Sequence, residues 1–435
     1  MKRRLLIAGA VAATAVTASL LGGAFRSEPA AALRETSPLA GATLSTGFAA
    51  GDTQSLVAKL QATLRAHPND AASQALLGLA YQQRARETGD PSYYSKSDAA
   101  LKTALRLEPN NLLAVAGVGS LALAQHRFRA ALTLGRRAVA LSPSTARNYG
   151  IVGDALIELG RYGEAFNTFD TMVGLKPSLS SYARVSYARE LLGHQRGAIE
   201  AMRLALDSAA GAEPEAWTRV QLGKLYWNRG RLAAAAREYR AALMIFPGYV
   251  YALDALAQVE GARGHYRRAI ALEQRAVNTT PLPQFVAYLG ELYQASGKPA
   301  LARRQYGLIG AIEQLLRANG VKTDLETALF DVDHGVRLPD ALRLARLARA
   351  DRPSIDGDDV LGWALARNGR CTEALTYSKR ALRLGTKDAL KYFHRGMIER
   401  CLGHDTAARS WFIRALDLNP HFSLRWSPVA RRYAS

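Results

Sequence analysis

Few residues of this chain stand at spacings that could do chemistry. Asp331, Asp333 and His334 sit together ahead of Gly335 and carry metal-ligating groups. No second histidine follows at ligand spacing, so no metal site is expected there. Asp356-Gly357-Asp358-Asp359 resembles the opening of a calcium loop but lacks the later ligands and the closing glutamate. It reads better as negative charge and a cap at a helix start. Gly297-Lys298-Pro299 is a turn between helices and not a phosphate cradle. The chain contains no His-Glu-x-x-His, no Cys-x-x-Cys, no Gly-x-Ser-x-Gly and no phosphate loop ending in Lys-Ser/Thr. No catalytic residue, metal or cofactor is therefore assigned, and an enzyme is not expected.

Composition points to a different kind of molecule. Hydrophobic residues make up 49% of the 435 and charged residues 22%, enough apolar material for an extended core. Alanine, leucine and arginine dominate, which suits helices. Lys plus Arg number 57 against 37 Asp plus Glu, giving a net charge of +20. Such a field draws in acidic partners. Yet pairs such as Arg136-Arg137 and Arg267-Arg268 are scattered as on solvated helix faces, and no basic run is interleaved with stacking aromatics. Nucleic acid is not an expected partner.

The first residues have the layout of an address. Met1-Lys2-Arg3-Arg4 is positive, Leu5 to Phe25 carries no charge, and Ala30-Ala31-Ala32 offers a cleavage site. Residues 1–32 are expected to be an export signal cleaved near Ala32, with an uncleaved membrane anchor as the competing reading. Residues 33–50 lack apolar periodicity and read as a flexible tether. Membrane contact is expected only through the N-terminal segment, and the place of work is expected to be periplasmic or otherwise extracytoplasmic.

Internal repetition is the main signal. A glycine recurs between apolar helical patterns at Gly160, Gly193, Gly230, Gly264, Gly297, Gly335, Gly369 and Gly403, at intervals of about 34 residues. An alanine follows each, from Ala165 and Ala198 to Ala374 and Ala408, and prolines such as Pro109, Pro143, Pro177, Pro247 and Pro420 close most units. Glycine suits a left-handed reversal after the first helix, and proline ends the second. Small residues, with Gly153 expected opposite Ala165 and Gly223 opposite Ala235, allow two antiparallel helices to approach. Tyr162, Phe169, Tyr226 and Tyr239 then fill the gaps. A further alanine, as at Ala138, Ala205, Ala242 and Ala276, admits the next unit.

This spacing resembles the tetratricopeptide repeat, and the unit Leu222-Gly223, Tyr226, Gly230, Ala235, Tyr239, Ala242, Pro247 matches almost every mark. The resemblance implies an all-α, right-handed superhelical solenoid of about ten helix-turn-helix units over residues 71–422. A capping helix within 51–70 is expected before it and a basic tail, 423–435, after it. Departures are local: extra residues around Arg84 to Ser92, a loop at Ala209 to Pro214, an extended helix from Pro299 to Ala318, and Thr386 where a proline belongs. Ser186, Ala257 and Ala328 replace the usual glycine of the first helix.

The resemblance also implies that ligand contacts fall on the first helix of each pair, on the concave side. In the fifth unit that stripe holds Trp217, Lys224 and Trp227, with Tyr187 and Glu190 on one side and Tyr251, Gln258, Tyr288 and Glu291 on the other. Two readings of the tryptophans stand, a peptide-binding groove or packing between repeats. Trp363 and Trp411 are expected to be buried. Antiparallel stacking brings Cys371 and Cys401 to the same end of the stack, where an oxidising compartment would permit a disulfide; two small buried hydrophobes are the other reading.

Two functions fit these features. One is a non-catalytic interaction scaffold of the cell envelope, holding a peptide or subunit in its groove. The other is an accessory binder of an envelope polysaccharide or other polymer, with aromatic faces for sugar rings and a basic surface for anionic chains.

Overall fold

The computed structural model describes residues 53–435. Among the described residues are twenty-two α-helices and no strand. α1 (Thr53–Ala66) stands alone, and ten antiparallel pairs follow it. They are α2 (Ala71–Thr88) with α3 (Ser92–Leu107), α4 (Leu112–Ala124) with α5 (Phe128–Leu141), α6 (Ala146–Glu158) with α7 (Tyr162–Leu175), and α8 (Leu179–Leu191) with α9 (Gln195–Asp207). The fifth to seventh pairs are α10 (Ala212–Trp227) with α11 (Leu232–Ile245), α12 (Val250–Ala262) with α13 (Tyr266–Thr279), and α14 (Pro283–Ala295) with α15 (Pro299–Ala318). The last three are α16 (Asp324–His334) with α17 (Leu338–Asp351), α18 (Ile355–Arg367) with α19 (Cys371–Ala381), and α20 (Ala389–Cys401) with α21 (Asp405–Leu418). α22 (Trp426–Ala434) closes the chain.

In four of the ten pairs, close approach is set by a glycine facing a ring. A Cβ added at Gly223 of α10 would overlap the Tyr239 ring of α11, and Gly153 stands in the same relation to Phe169. This corrects the expected pairing with Ala235 and Ala165. Both alanines are fully buried, but the ring one helical turn further on is the group long enough to cross to the glycine. The alanines expected to admit the next unit, Ala138, Ala205, Ala242 and Ala276, are also fully buried.

A second set of contacts joins units that are far apart in sequence. The turn inside each of the first five units docks on the segment that closes the unit five places later. In the second unit, Gln125 Nε2 donates to the Asn319 carbonyl at 2.9 Å, and His126 Nδ1 donates to the Lys322 carbonyl at 2.7 Å. In the third, the Ile355 amide donates to Tyr162 Oη at 2.7 Å, while Arg352 pairs with Glu158. Thr386 Oγ1 donates to the Leu191 carbonyl at 2.5 Å, and Asn419 Nδ2 to the Trp227 carbonyl at 2.9 Å. In the first unit, a Cβ at Gly89 would overlap Thr280. The hydrogen-bonded partners lie 192 to 196 residues apart. Superhelical turns therefore meet along a seam, and the concave face they surround is walled on the sides.

The seam explains two of the departures in the repeat. α15 runs 20 residues, as expected, and its extension carries Asn319 to Gln125 and also to Ser95 Oγ at 2.8 Å. Thr386, which stands where a proline is expected, uses its hydroxyl across the seam.

At the ends, α1 buries Val57 and Leu60 against the first pair. Residues 423–435, expected as a basic tail, instead form α22 and the turn leading into it. Trp426, Val429 and Tyr433 recur at helical spacing and cover the open flank of the tenth pair. The Trp426 ring stacks on Phe393 with centroids 5.2 Å apart. Residues 1–32 and 33–50, expected as signal or anchor and as tether, lie outside the described residues. Among the described residues, no helix is long and apolar enough to cross a membrane.

Candidate functional site

The residues singled out for metal chemistry are engaged in separate ways. Arg337 Nε donates to Asp331 at 3.0 Å. Asp333 Oδ1 accepts from the indole N–H groups of Trp363 and Trp426 at 2.9 and 3.0 Å. His334 Nδ1 donates to the Phe330 carbonyl at 2.8 Å. The 356–359 acids open α18, whose cap is Ser354, but they point to different partners. Asp356 pairs with Lys391 at 2.8 Å, Asp358 with Arg349 and Arg383 at 2.9 and 2.7 Å, and Asp359 with His394 at 2.9 Å. The group ties α18 to its neighbours and presents no converging oxygens.

Behind the seam, the first helices of units six to eight frame a cavity of about 860 Å³, completed by α15, by the segment before α22 and by α22 itself. Of the expected groove residues, Trp227, Gln258, Tyr288 and Glu291 line it. Tyr187 and Glu190 line a smaller cavity of about 300 Å³, where Trp227 forms a shared wall. Lys224 is exposed and lies in the field of both Asp254 and Glu190. Trp217 and Tyr251 belong to packing: Trp217 lies against the core of the fifth unit, and Tyr251 is wedged between Tyr249 and Phe285 with centroids 5.4 and 5.8 Å away. Trp227 packs against the same core and also lines the cavity, so packing holds for both tryptophans and the groove reading is left to Trp227. Trp363 is buried as expected, at 1% exposure. Trp411 is only half-buried: Tyr392 of α20 lies 5.5 Å from its ring, and the guanidinium groups of Arg395 and Arg414 cover it at 5.3 and 4.8 Å.

Asp254, Phe330 and Trp426 escaped the sequence reading of the wall, while Asp333 and His334, noted there only as possible metal ligands, also line it. Asp254 lies one helical turn before Gln258, whose amide donates to both its oxygens at 3.1 and 3.0 Å. Burial pushes the Asp254 carboxyl above its ordinary range, while Gln258 and Lys224 pull it back. Burial raises Glu291 to about 7, against the pull of Arg425 and with the help of Asp333. Burial and Arg425 lower His334 to about 4, so its imidazole is neutral at pH 7. Tyr288, between Asp254 and Glu291, is raised well above its usual range by burial and by both carboxylates. In the smaller cavity Lys391 is 9% exposed. Burial would lower its pKa, but Asp356 and Asp388 hold the ammonium charged and raise it well above the ordinary value. The large cavity is thus an aromatic box with an acidic wall, inside a chain whose net charge is +20.

Cys371 at the start of α19 and Cys401 at the end of α20 have Cα atoms 5.8 Å apart, within the span of about 4.4–6.8 Å that a disulfide bridges.

Comparison with known proteins agrees with the repeat. Two family models, both described as tetratricopeptide repeat, match residues 119–180 and 218–249. No curated protein matches the chain. Similar solved structures include TTC0263, a thermophilic TPR protein of Thermus thermophilus, with 20% identity over 46% of this chain and 99% of that one at a TM-score of 0.38. YrrB, described as a TPR protein with an unusual peptide-binding site, has 18% identity over 43% of this chain and 95% of its own, with a TM-score of 0.29. The human IFIT1 dimer with PPP-AAAA has 13% identity over 87% and 93% of the two chains, with a TM-score of 0.45. The ten helix pairs, the glycine-on-ring contact in four of them and the two family models lead to one conclusion: this chain is an all-α solenoid that carries tetratricopeptide repeats.

Proposed function

We propose that the protein is a non-catalytic scaffold that holds a peptide or a segment of another subunit inside its superhelix. The observation that carries this reading is the cavity of about 860 Å³ on the inner helices. Its wall combines aromatic anchors with a few oriented polar groups, the composition that binding pockets commonly have. A photo-crosslinking residue at Gln284, on the cavity wall, should capture a discrete peptide or protein in cells. The same residue at Met244, 82% exposed on α11, should not capture it. Identical captures from both positions would remove the inner wall from the reading.

Export to the cell envelope belongs to the same proposal. It is supported by the layout of residues 1–32 and is compatible with the approach of Cys371 and Cys401. Fractionation with N-terminal sequencing of the mature protein tests it, with a new terminus near Ala32 in the envelope fraction as the expected result. The polymer reading draws support from the rings of Trp227, Tyr288 and Trp426 in the wall. The acidic wall opposes an anionic chain in the cavity, which leaves the basic outer surface as the place for such a polymer.

A further inference from the structure

Three successive first helices each bring a carboxyl to the inner wall, Asp254 on α12, Glu291 on α14 and Asp333 on α16, where Glu326 also lines the cavity but pairs with Arg352. Most buried carboxylates elsewhere in this chain are matched by cations, as Asp358 is by Arg349 and Arg383; Glu273, fully buried next to Asp254 and without a partner among the described residues, is an exception. The wall acids are not matched in this way. Asp254, 9% exposed, makes no ion pair among the described residues and is held by the Gln258 amide. Asp333 is held by two neutral indoles. Lys224 is the cation acting on Asp254 and Arg425 the one acting on Glu291, whereas Glu190 also has Lys391, and Asp333 also has His394 and Arg367.

An unfilled hydrogen-bond site lies at the same place. The His334 side chain is 8% exposed, and its Nε2 lies 4.0 Å from Glu291 Oε1. Nδ1 must carry the ring proton, because it faces the Phe330 carbonyl. Nε2 is therefore a lone pair pointed at a carboxylate, and it has no hydrogen-bond partner among the described residues. Buried acceptors of this kind are rarely left unfilled. A nitrogen donor about 2.9 Å from each would satisfy both. Arg425 does not fill the gap: its Nε stays 4.0 Å from Glu291 and is itself unpartnered.

We propose that the cavity takes a lysine or arginine side chain of the bound peptide, its cationic head at Glu291 and Asp254 and its aliphatic stem along Tyr288 and Trp227. The assignment rests on the scaffold reading and names the chemistry of the occupant. An ammonium or guanidinium supplies the missing donors and charge, and its stem suits rings. A hard divalent cation suits the site less, because it needs several converging oxygens and the Asp333 oxygen is already taken by indoles. Binding also draws protons off the wall. Asp254 is faced by Lys224, Tyr239, Glu273 and Tyr288, and Glu291 by Arg425, Asp333, His334, Tyr288 and Tyr306. In the empty site these carboxyls hold protons unusually high, and an incoming cation releases them.

The test uses the full-length protein and isothermal titration with pentalysine and pentaarginine, against pentaglutamate and penta-acetyllysine. The net charge of +20 repels the basic probes from the bulk surface, so their binding reports a local site. Saturable binding of the basic probes is expected, at least about tenfold tighter than penta-acetyllysine. It should release protons near pH 7, read from heats in buffers of different ionisation enthalpy, and weaken about tenfold or more in the D254N/E291Q double variant. The acetylated probe keeps the test valid even if that variant folds poorly. Equal binding of penta-acetyllysine, no binding of either basic probe, or binding only of a neutral sugar oligomer run alongside would each overturn the proposal. If the Gln284 crosslink still captures a partner at full yield in the double variant, the basic-residue site falls while the scaffold stands. Loss of every inner-wall capture in the unsubstituted protein removes the scaffold reading itself.

Discussion

Thr386 donates its hydroxyl to the carbonyl of Leu191, 195 residues earlier in the chain, at 2.5 Å. Thr386 is 7% exposed, so the bond is shielded from water. The contact couples the end of the ninth unit to the turn of the fourth and is one rung of the seam that walls the cavity. Thr386→Val keeps the shape and removes the donor. It should destabilise the protein by about 1–2 kcal/mol, read from urea unfolding, and should speed amide exchange around Gly193 and Gly385. Unchanged exchange at both glycines would mean that the rung does not hold the turns together.

A pair of glycine substitutions separates the seam from ordinary turn geometry. Gly160 and Gly369 both hold left-handed backbone, with φ of 69° and 75°. A Cβ at Gly160 would run into the Pro353 carbonyl across the seam, whereas one at Gly369 meets nothing. Gly369→Ala should show only the left-handed penalty of about 1–2 kcal/mol. Gly160→Ala should lose about 1–3 kcal/mol more, because the backbone across the seam must shift. Equal losses in thermal or urea unfolding would place the seam apart in solution.

The repeat could be read from the sequence because its rules are local. Gly160 and Ala165 mark one helix pair within a few residues, and helical spacing assigns Gln258 and Glu291 to the inner face, where both line the cavity. What sequence could not supply is pitch. No local pattern links Leu191 to Thr386, so neither the seam nor the enclosure of the cavity was legible. Trp217 and Trp227 share a helix and a residue type and both pack against the core of the fifth unit, and it is Trp227 that also reaches the wall. α22 did leave a signal, Trp426, Val429 and Tyr433 at helical spacing, masked by the arginines between them. Asp254 also left one, as the first of a series of acids on successive inner helices.

Cys371 and Cys401 lie close enough for a bond, with Cα atoms 5.8 Å apart across 30 residues of chain. In protein recovered from an oxidising compartment, non-reducing peptide mapping should find the two peptides joined. Reduction, or Cys371→Ser with Cys401→Ser, should lower stability by about 3–4 kcal/mol in the chain-entropy picture. Both thiols free in envelope-derived protein would exclude the bond and weaken the case for export.

Glu291 makes stability depend on pH in a direction that can be worked out. Burial, opposed by Arg425 and reinforced by Asp333, holds its carboxyl at about 7, against about 4.3 for an unfolded glutamate. The folded state therefore keeps the proton more tightly. Its contribution is fully present below the unfolded value and is lost as pH rises through the folded one, a window of about pH 4 to 7. The loss amounts to about 3–4 kcal/mol at most. Glu291→Gln keeps the shape without the ionisation. Urea unfolding should then find the variant close to the unsubstituted protein at pH 5 and more stable than it at pH 8. Pentalysine should restore part of the stability that the unsubstituted protein loses at pH 8, because a bound cation compensates the ionised carboxylate, and should do little for the variant. A variant less stable at pH 8 than the unsubstituted protein would mean that the ionised Glu291 is already paired, with Arg425 closed onto it, and that the wall has no charge left to offer a ligand.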